Sequence, residues 1–227
     1  MGVILRAYTA AEQWADRGVH WLAMGAAVTG LIALLVVAGL SGDATPLVWT
    51  TLAVYGAGLV VMFGCSMLSN HDLSDSSPWS GLFQRLDHAG ILFMIAATYT
   101  PLTLHIIGGV AGWTLLLFIW AMALFGMGLR LFRRRALEPR KAFLFYLVLG
   151  WSAVFVLQPL VSSASLSVVV LVITGGLLYS LGVPFFLWWR LPFHRTIWHT
   201  FVVAAASCHY AAVMVGVALT GGLTASS

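Results

Sequence analysis

The sequence predicts an all-α fold, a bundle of seven transmembrane helices, on three observations. The 227-residue chain is 61% hydrophobic and 8% charged, too apolar for water to be its main solvent. Seven apolar runs can be read along it, each close to the ~20 residues that cross a ~30 Å hydrocarbon core. Threaded through a membrane in that order, the runs leave all eleven Lys and Arg on a single side.

The runs are Trp21–Leu40, Leu47–Leu68, Ala89–Ile107, Val110–Leu129, Ala142–Val161, Leu166–Trp188 and Thr196–Thr220. Arg6 and Arg17 precede the first, and Arg85 lies between the second and third. Arg130, Arg133, Arg134, Arg135, Arg140 and Lys141 separate the fourth from the fifth, and Arg190 and Arg195 the sixth from the seventh. The opposite side carries Asp43 as its only charged residue. Basic loops stay in the cytoplasm, so the N-terminus is expected inside and the C-terminus outside. The expected setting is a bacterial inner membrane, crossed many times. Residues 1–18 do not read as a signal peptide, because Glu12, Asp16 and Arg17 interrupt them.

Local signals agree with this threading. Trp21, Trp49, Trp79, Trp113, Trp188 and Trp189 fall near run ends, where amphipathic rings anchor in the interface, while Trp120 and Trp151 lie deeper. Gly56, Gly58 and Gly64 in the second run, and Gly126 and Gly128 in the fourth, permit close helix contact. Pro101 and Pro184 each remove a backbone donor inside a run and are expected to kink it. Cys65 and Cys208 sit at different depths and are expected to be unpaired, small buried residues. With no linker or composition shift, residues 1–227 form one domain. The net charge of +4 is explained by juxtamembrane loops, which argues against nucleic-acid binding and for contact with anionic lipids.

Polar residues near a span are costly and ask for a reason. Ser66, Asn70 and His71 close the second run, Asp87 and His88 open the third, and His194, Arg195 and His199 open the seventh. Asp16 and His20 stand before the first. Ser66 and Asn70 are four residues apart and share a helix face, as do Arg195 and His199. Three helices are thus expected to present Ser66, Asn70, Asp87, Arg195 and His199 to one pocket open to the cytoplasm; the simpler alternative is a set of interfacial side chains reaching water.

These residues resemble a family. Asp16-Arg17-Gly18-Val19-His20, Ser66-Met67-Leu68-Ser69-Asn70, Leu86-Asp87-His88-Ala89-Gly90-Ile91 running to Ala97-Thr98-Tyr99-Thr100-Pro101, Tyr179-Ser180-Leu181-Gly182-Val183, and Ile197-Trp198-His199 with His209 look like hemolysin III. That is the bacterial branch of the progestin and adipoQ receptors, PAQR. The resemblance covers Glu12 to Val213 and implies seven helices with a cytoplasm-facing zinc site. It implies three histidine ligands: one closing a Ser-x-x-x-His on helix 2, two in a His-x-x-x-His on helix 7. It also implies an Asp on helix 3 beside the zinc-bound water.

Ser66, Asp87 and His199 match those positions, while Asn70 and Arg195 replace two of the ligands. An amide is a poor zinc ligand beside imidazole, and a guanidinium only donates. Zinc about 4 Å from Arg195 would meet about 8 kcal/mol of repulsion at an effective dielectric of about 20. The expectation is therefore a metal-free pocket with no cofactor, in which Arg195 pairs with Asp87 and receives an anionic ligand such as a lipid head group. A non-enzymatic role in membrane-lipid homeostasis or sensing follows. The alternative is a zinc-dependent lipid amidase-type hydrolase on a displaced set, His71, His194 and His199, with Ser66 and Asp87 as catalytic candidates. A cytolytic pore, suggested by the family name, is a further alternative, but polarity clusters only at the inner end.

Overall fold

The structure, a computed structural model, describes residues 8–42, 44–71, 78–132 and 139–220. Among the described residues it is all helical. Its elements are α1 (Ala10–Leu40), α2 (Pro46–His71), α3 (Ser80–Pro101), α4 (Gly109–Phe132), α5 (Pro139–Gly150), α6 (Leu157–Ser163), α7 (Leu166–Leu187) and α8 (His194–Val213). A π-helical turn, Leu102–Ile107, extends α3, and a second, Met214–Ala218, extends α8. Six helices are long and apolar enough to cross a membrane: α1, α2, α3 with its π turn, α4, α7, and α8 with its own.

The fifth apolar run departs from expectation. Instead of one continuous span over Ala142–Val161, it forms α5, a 3₁₀ segment Trp151–Val156, and α6. Pro159 lacks an N–H and its ring collides with the carbonyl four residues back, so an α-helix cannot run through Phe155. The freed backbone groups must be paired inside an apolar solvent. Tyr99 of α3 supplies the pairing: its hydroxyl donates to the Gly150 carbonyl at 2.7 Å and accepts from the Ala153 N–H at 2.9 Å. Ser152 Oγ closes the Leu149 carbonyl at 2.7 Å.

Pro101 acts similarly at the end of α3. The backbone widens into the π turn, the Thr103 hydroxyl donates to the Tyr99 carbonyl at 2.7 Å, and the Gly108 N–H to the Thr103 carbonyl at 2.8 Å. Gly108, at φ 64°, ends the turn in the half of backbone space that favours glycine.

Helix α1 shows how the bundle is organised. Its buried residues are Glu12, Asp16, His20, Ala23, Ala27, Leu34 and Ala38, a stripe at helical spacing. The outward face carries large apolar side chains such as Leu22 and Leu40, as lipid contact requires. The stripe is ionisable for its first three positions and apolar thereafter, so one end of α1 brings charge into the bundle. α1 packs on α2 and α8, α2 on α3, α3 on α4, and α7 on α8.

Two apolar clusters result. One joins Leu34, Leu52, Tyr55 and Val213; the other joins Leu92, Ile119, Phe143 and Trp198. A cavity of about 940 Å³ runs between them. Trp120 is bound inside the bundle to Thr100 at 3.1 Å, and Cys65 and Cys208 are both free.

The basic helix ends share one end of the molecule. Arg85 at the start of α3 donates to the Leu131 carbonyl of α4 at 3.4 Å, and Arg130 at the end of α4 lies 5.8 Å over the Tyr146 ring of α5. Tyr8, just before α1, hydrogen-bonds His194 of α8 at 3.0 Å. Arg6, Arg133, Arg134, Arg135 and Asp43 lie outside the described residues.

Candidate functional site

The polar end of the α1 stripe faces the C-terminal end of α2 and the N-terminal ends of α3 and α8. His20, 2% exposed, is fixed through Nδ1, 2.7 Å from the Asp16 carbonyl oxygen. That contact requires the proton on Nδ1, which leaves Nε2 as an acceptor. Nε2 faces α2, 3.1 Å from Asn70 Nδ2 and 3.2 Å from Ser66 Oγ. Asn70 Nδ2 also donates to the Ser66 carbonyl at 2.7 Å. Its other amide atom, Oδ1, is buried and finds no donor among the described residues.

The carboxylate of Asp16 turns to α8 and meets His199 Nδ1 at 2.6 Å. The His20 and His199 rings sit edge to face, centroids 4.3 Å apart. Asp87 of α3 meets the Ser66 side chain and lies within electrostatic reach of His199 and Arg195.

The pocket thus contains the residues that the sequence singled out, in a different pattern of pairing. Ser66, Asn70, Asp87, Arg195 and His199 all line the cavity. The expected Arg195–Asp87 pair is not formed: the Arg195 guanidinium lies 5.2 Å over the Tyr8 ring, where the quadrupole of the ring attracts it. It still acts electrostatically on Asp16, His20 and Asp87.

His194 is drawn off to Tyr8 and stacks on its ring at 5.8 Å. The side chain of His71 lies outside the described residues. His88 bonds back to the Gln84 carbonyl, His105 to Thr51, and His209 to the Val172 carbonyl.

The tri-histidine zinc set implied by the resemblance does not fit these residues. At its α2 position the amide nitrogen of Asn70 faces the His20 acceptor, and at its first α8 position stands a permanent cation. The described residues assemble instead a group of Asp16, His20 and His199, each with one potential ligand atom and all three within 4.8 Å of one another. Two of the three come from α1. The sequence signal for them was the Glu12–Asp16–His20 spacing of four, which puts three ionisable groups on one face.

The α7–α8 turn, which ends two residues before Arg195, is clamped by α1. Glu12 Oε1 accepts from the Phe193 N–H at 2.8 Å, and Oε2 from the Thr9 backbone N–H and hydroxyl, both at 2.9 Å, closing a capping box. Phe193 sits at φ 58°, a left-handed conformation that costs a residue with a Cβ about 1–2 kcal/mol. Glu12→Ala is expected to release the turn. Hydrogen exchange of the Phe193 amide should rise at least about tenfold, matching the net 1.5–3 kcal/mol or so of a charge-assisted hydrogen bond. Unchanged exchange would show that Glu12 does not hold it.

Comparison with known proteins supplies relatives along nearly the whole chain. A family model described as Haemolysin-III related matches residues 11–210. The chain is 30% identical over 207 residues to a hemolysin-3 homolog of Bacillus subtilis (strain 168), covering 91% of this chain and 95% of that protein. It is 34% identical over 203 residues to hemolysin-3 of Bacillus cereus, covering 89% and 90%. Against the human monocyte to macrophage differentiation factor it is 33% identical over 171 residues, covering 72% and 68%.

Proposed function

This chain belongs to the haemolysin-III-related family, and from that premise we propose that it binds an amphiphile from the membrane, for lipid sensing or homeostasis rather than hydrolysis. The carrying observation is the cavity of about 940 Å³, polar at one end and apolar beyond. Ligand pockets of ~300–1,000 Å³ with a few convergent polar groups are the usual form of a small-molecule site. Asn70, Asp87, Arg195 and His199 gather at one end, and Phe63, Met94, Phe143 and Val203 line the walls further in.

A head group carrying negative charge would lie against Arg195, whose side chain is half-buried and free of a carboxylate partner among the described residues. The acyl part would run between the two apolar clusters. The N-terminus is assigned to the cytoplasm, because the basic helix ends collect at the same end as the polar pocket. The run α5 to α6 is then a seventh, broken crossing, and the setting is a bacterial inner membrane.

This reading treats the family zinc site as dismantled at Asn70 and Arg195. Hydrolysis is the second reading, favoured by the Asp16–His20–His199 group beside the cavity. The test is native mass spectrometry of the chain purified in mild detergent, with organic extraction of what co-purifies. About one amphiphile per chain is expected in the wild type. Leu147→Trp, which pushes an indole into the cavity wall, should lose it, and Arg195→Gln should shift the bound population from anionic to neutral lipids. Equal lipid content in wild type and Leu147→Trp would sink the reading.

A further inference from the structure

We propose that Asp16, His20 and His199 form a divalent-metal site of this chain's own, in which α1 supplies two ligands and α8 the third. Each residue offers a ligand atom, and the three atoms lie within 4.8 Å of one another. Zinc–nitrogen and zinc–oxygen bonds of about 2.0–2.2 Å put tetrahedral ligands about 3.4 Å apart, so the set must contract by up to about 1.4 Å at its widest. Rotations about side-chain bonds cover that distance without moving a helix. A neutral imidazole pair with one carboxylate suits zinc and its borderline neighbours, and three protein ligands leave a fourth position open.

Burial separates this group from a chance surface cluster. Asp16 and His20 are 6% and 2% exposed. Asp16 now meets His199, and His20 meets Asn70 and Ser66, so a cation would enter this buried group in exchange for the Asp16–His199 contact.

An independent observation points to the same spot. Asn70 Oδ1 is buried without a donor among the described residues, while its sister atom Nδ2 lies 3.1 Å from His20 Nε2. Nδ2 is held by the Ser66 carbonyl and by His20 Nε2, so the amide keeps this orientation and Oδ1 stands as an unfilled acceptor on the residue beside the group.

Charge fits as well. Two carboxylates, Asp16 and Asp87, face one fixed cation, Arg195, and that cation is held off over Tyr8. Adding a divalent ion leaves the pocket net positive, which suits an anionic head group. The metal proposal does not depend on the amphiphile reading: metal content reports on one and co-purifying lipid on the other.

The experiment is elemental analysis of the intact chain in detergent, after incubation with zinc chloride and desalting. About one zinc per chain is expected in wild type, and less than about a tenth in His20→Gln and in His199→Gln. His194→Gln, which removes the residue held by Tyr8, should keep its zinc. No zinc in wild type overturns the proposal, as does loss in His194→Gln with retention in His20→Gln.

Should the histidine variants fail to fold, X-ray absorption on zinc-loaded wild type decides alone. Two imidazoles with light oxygen or nitrogen ligands are expected; three imidazoles, or a sulfur, would overturn it.

Discussion

Asp16→Ala is expected to destabilise the protein by about 3 kcal/mol, among the largest effects available to one side chain outside the apolar core. The carboxylate is held 2.6 Å from His199 Nδ1, with the two side chains 9% and 13% exposed. Deleting it strands the His199 donor in a low-dielectric setting and removes a direct polar tie between α1 and α8. Asp16→Asn keeps an oxygen that can accept from Nδ1 and should cost only about half as much, since a neutral acceptor is weaker than a charged one. His88→Ala serves as the reference, because His88 only bonds back to its own helix.

Thermal unfolding in detergent, followed by tryptophan fluorescence, should rank the variants Asp16→Ala, Asp16→Asn, His88→Ala in falling severity. A melting point for Asp16→Ala equal to that of His88→Ala would remove Asp16 from the architecture of the site. The prediction concerns the metal-free network and is measured on protein stripped with a chelator.

The membrane class, six of the helices and the pocket-lining residues were legible in the sequence, because each follows from a local quantity. Hydropathy over about 20 residues marks a span, and side chains four apart share a face. What was not legible depends on how helices meet. Asp16 and His20 were legible as polar residues at the start of the first helix and as part of the resemblance, but not as members of the pocket; the packing of α1 on α2 and α8 turns the face they share with Glu12 inward. The Arg195–Asp87 pair seemed natural for two opposite charges at matching depth. In the structure the guanidinium lies instead over the ring of Tyr8, which precedes the first helix.

The fifth span shows the same limit in the backbone. Pro159 was visible, yet hydropathy alone reads Ala142–Val161 as continuous. The break is tolerable only because Tyr99 reaches across from α3 to pair Gly150 and Ala153. A tyrosine sixty residues upstream is no local signal. The same residue thus belongs both to the Thr-Tyr-Thr-Pro motif, which looks functional, and to the scaffold, where it braces the wall of the cavity. A motif shared with a family need not touch the chemistry at all.

Gly112→Val should be the most disruptive of the small-residue substitutions. A Cβ on Gly112 would fall inside contact distance of the Thr103 carbonyl oxygen and 3.3 Å from the Thr103 carbonyl carbon. That oxygen cannot move away, because it accepts the Gly108 N–H at 2.8 Å and so closes the π turn at the end of α3. The added side chain must therefore push α4 off α3 or open the turn. Either response costs about 3 kcal/mol, the upper end of ordinary overpacking, since a backbone atom yields less than a flexible side chain.

Gly128 lies on the same helix with nothing within 4 Å of its added Cβ. Gly128→Ala should leave stability unchanged or raise it by up to about 1 kcal/mol through helix propensity. The pair separates close approach from backbone freedom. If both substitutions shift the unfolding midpoint alike, glycine is retained in α4 for flexibility rather than for the contact with Thr103. If only Gly112→Val falls, the α3–α4 approach fixes the π turn. Tyr99 lies three residues before that turn and closes one wall of the cavity, so the same variant should also weaken whatever the cavity holds.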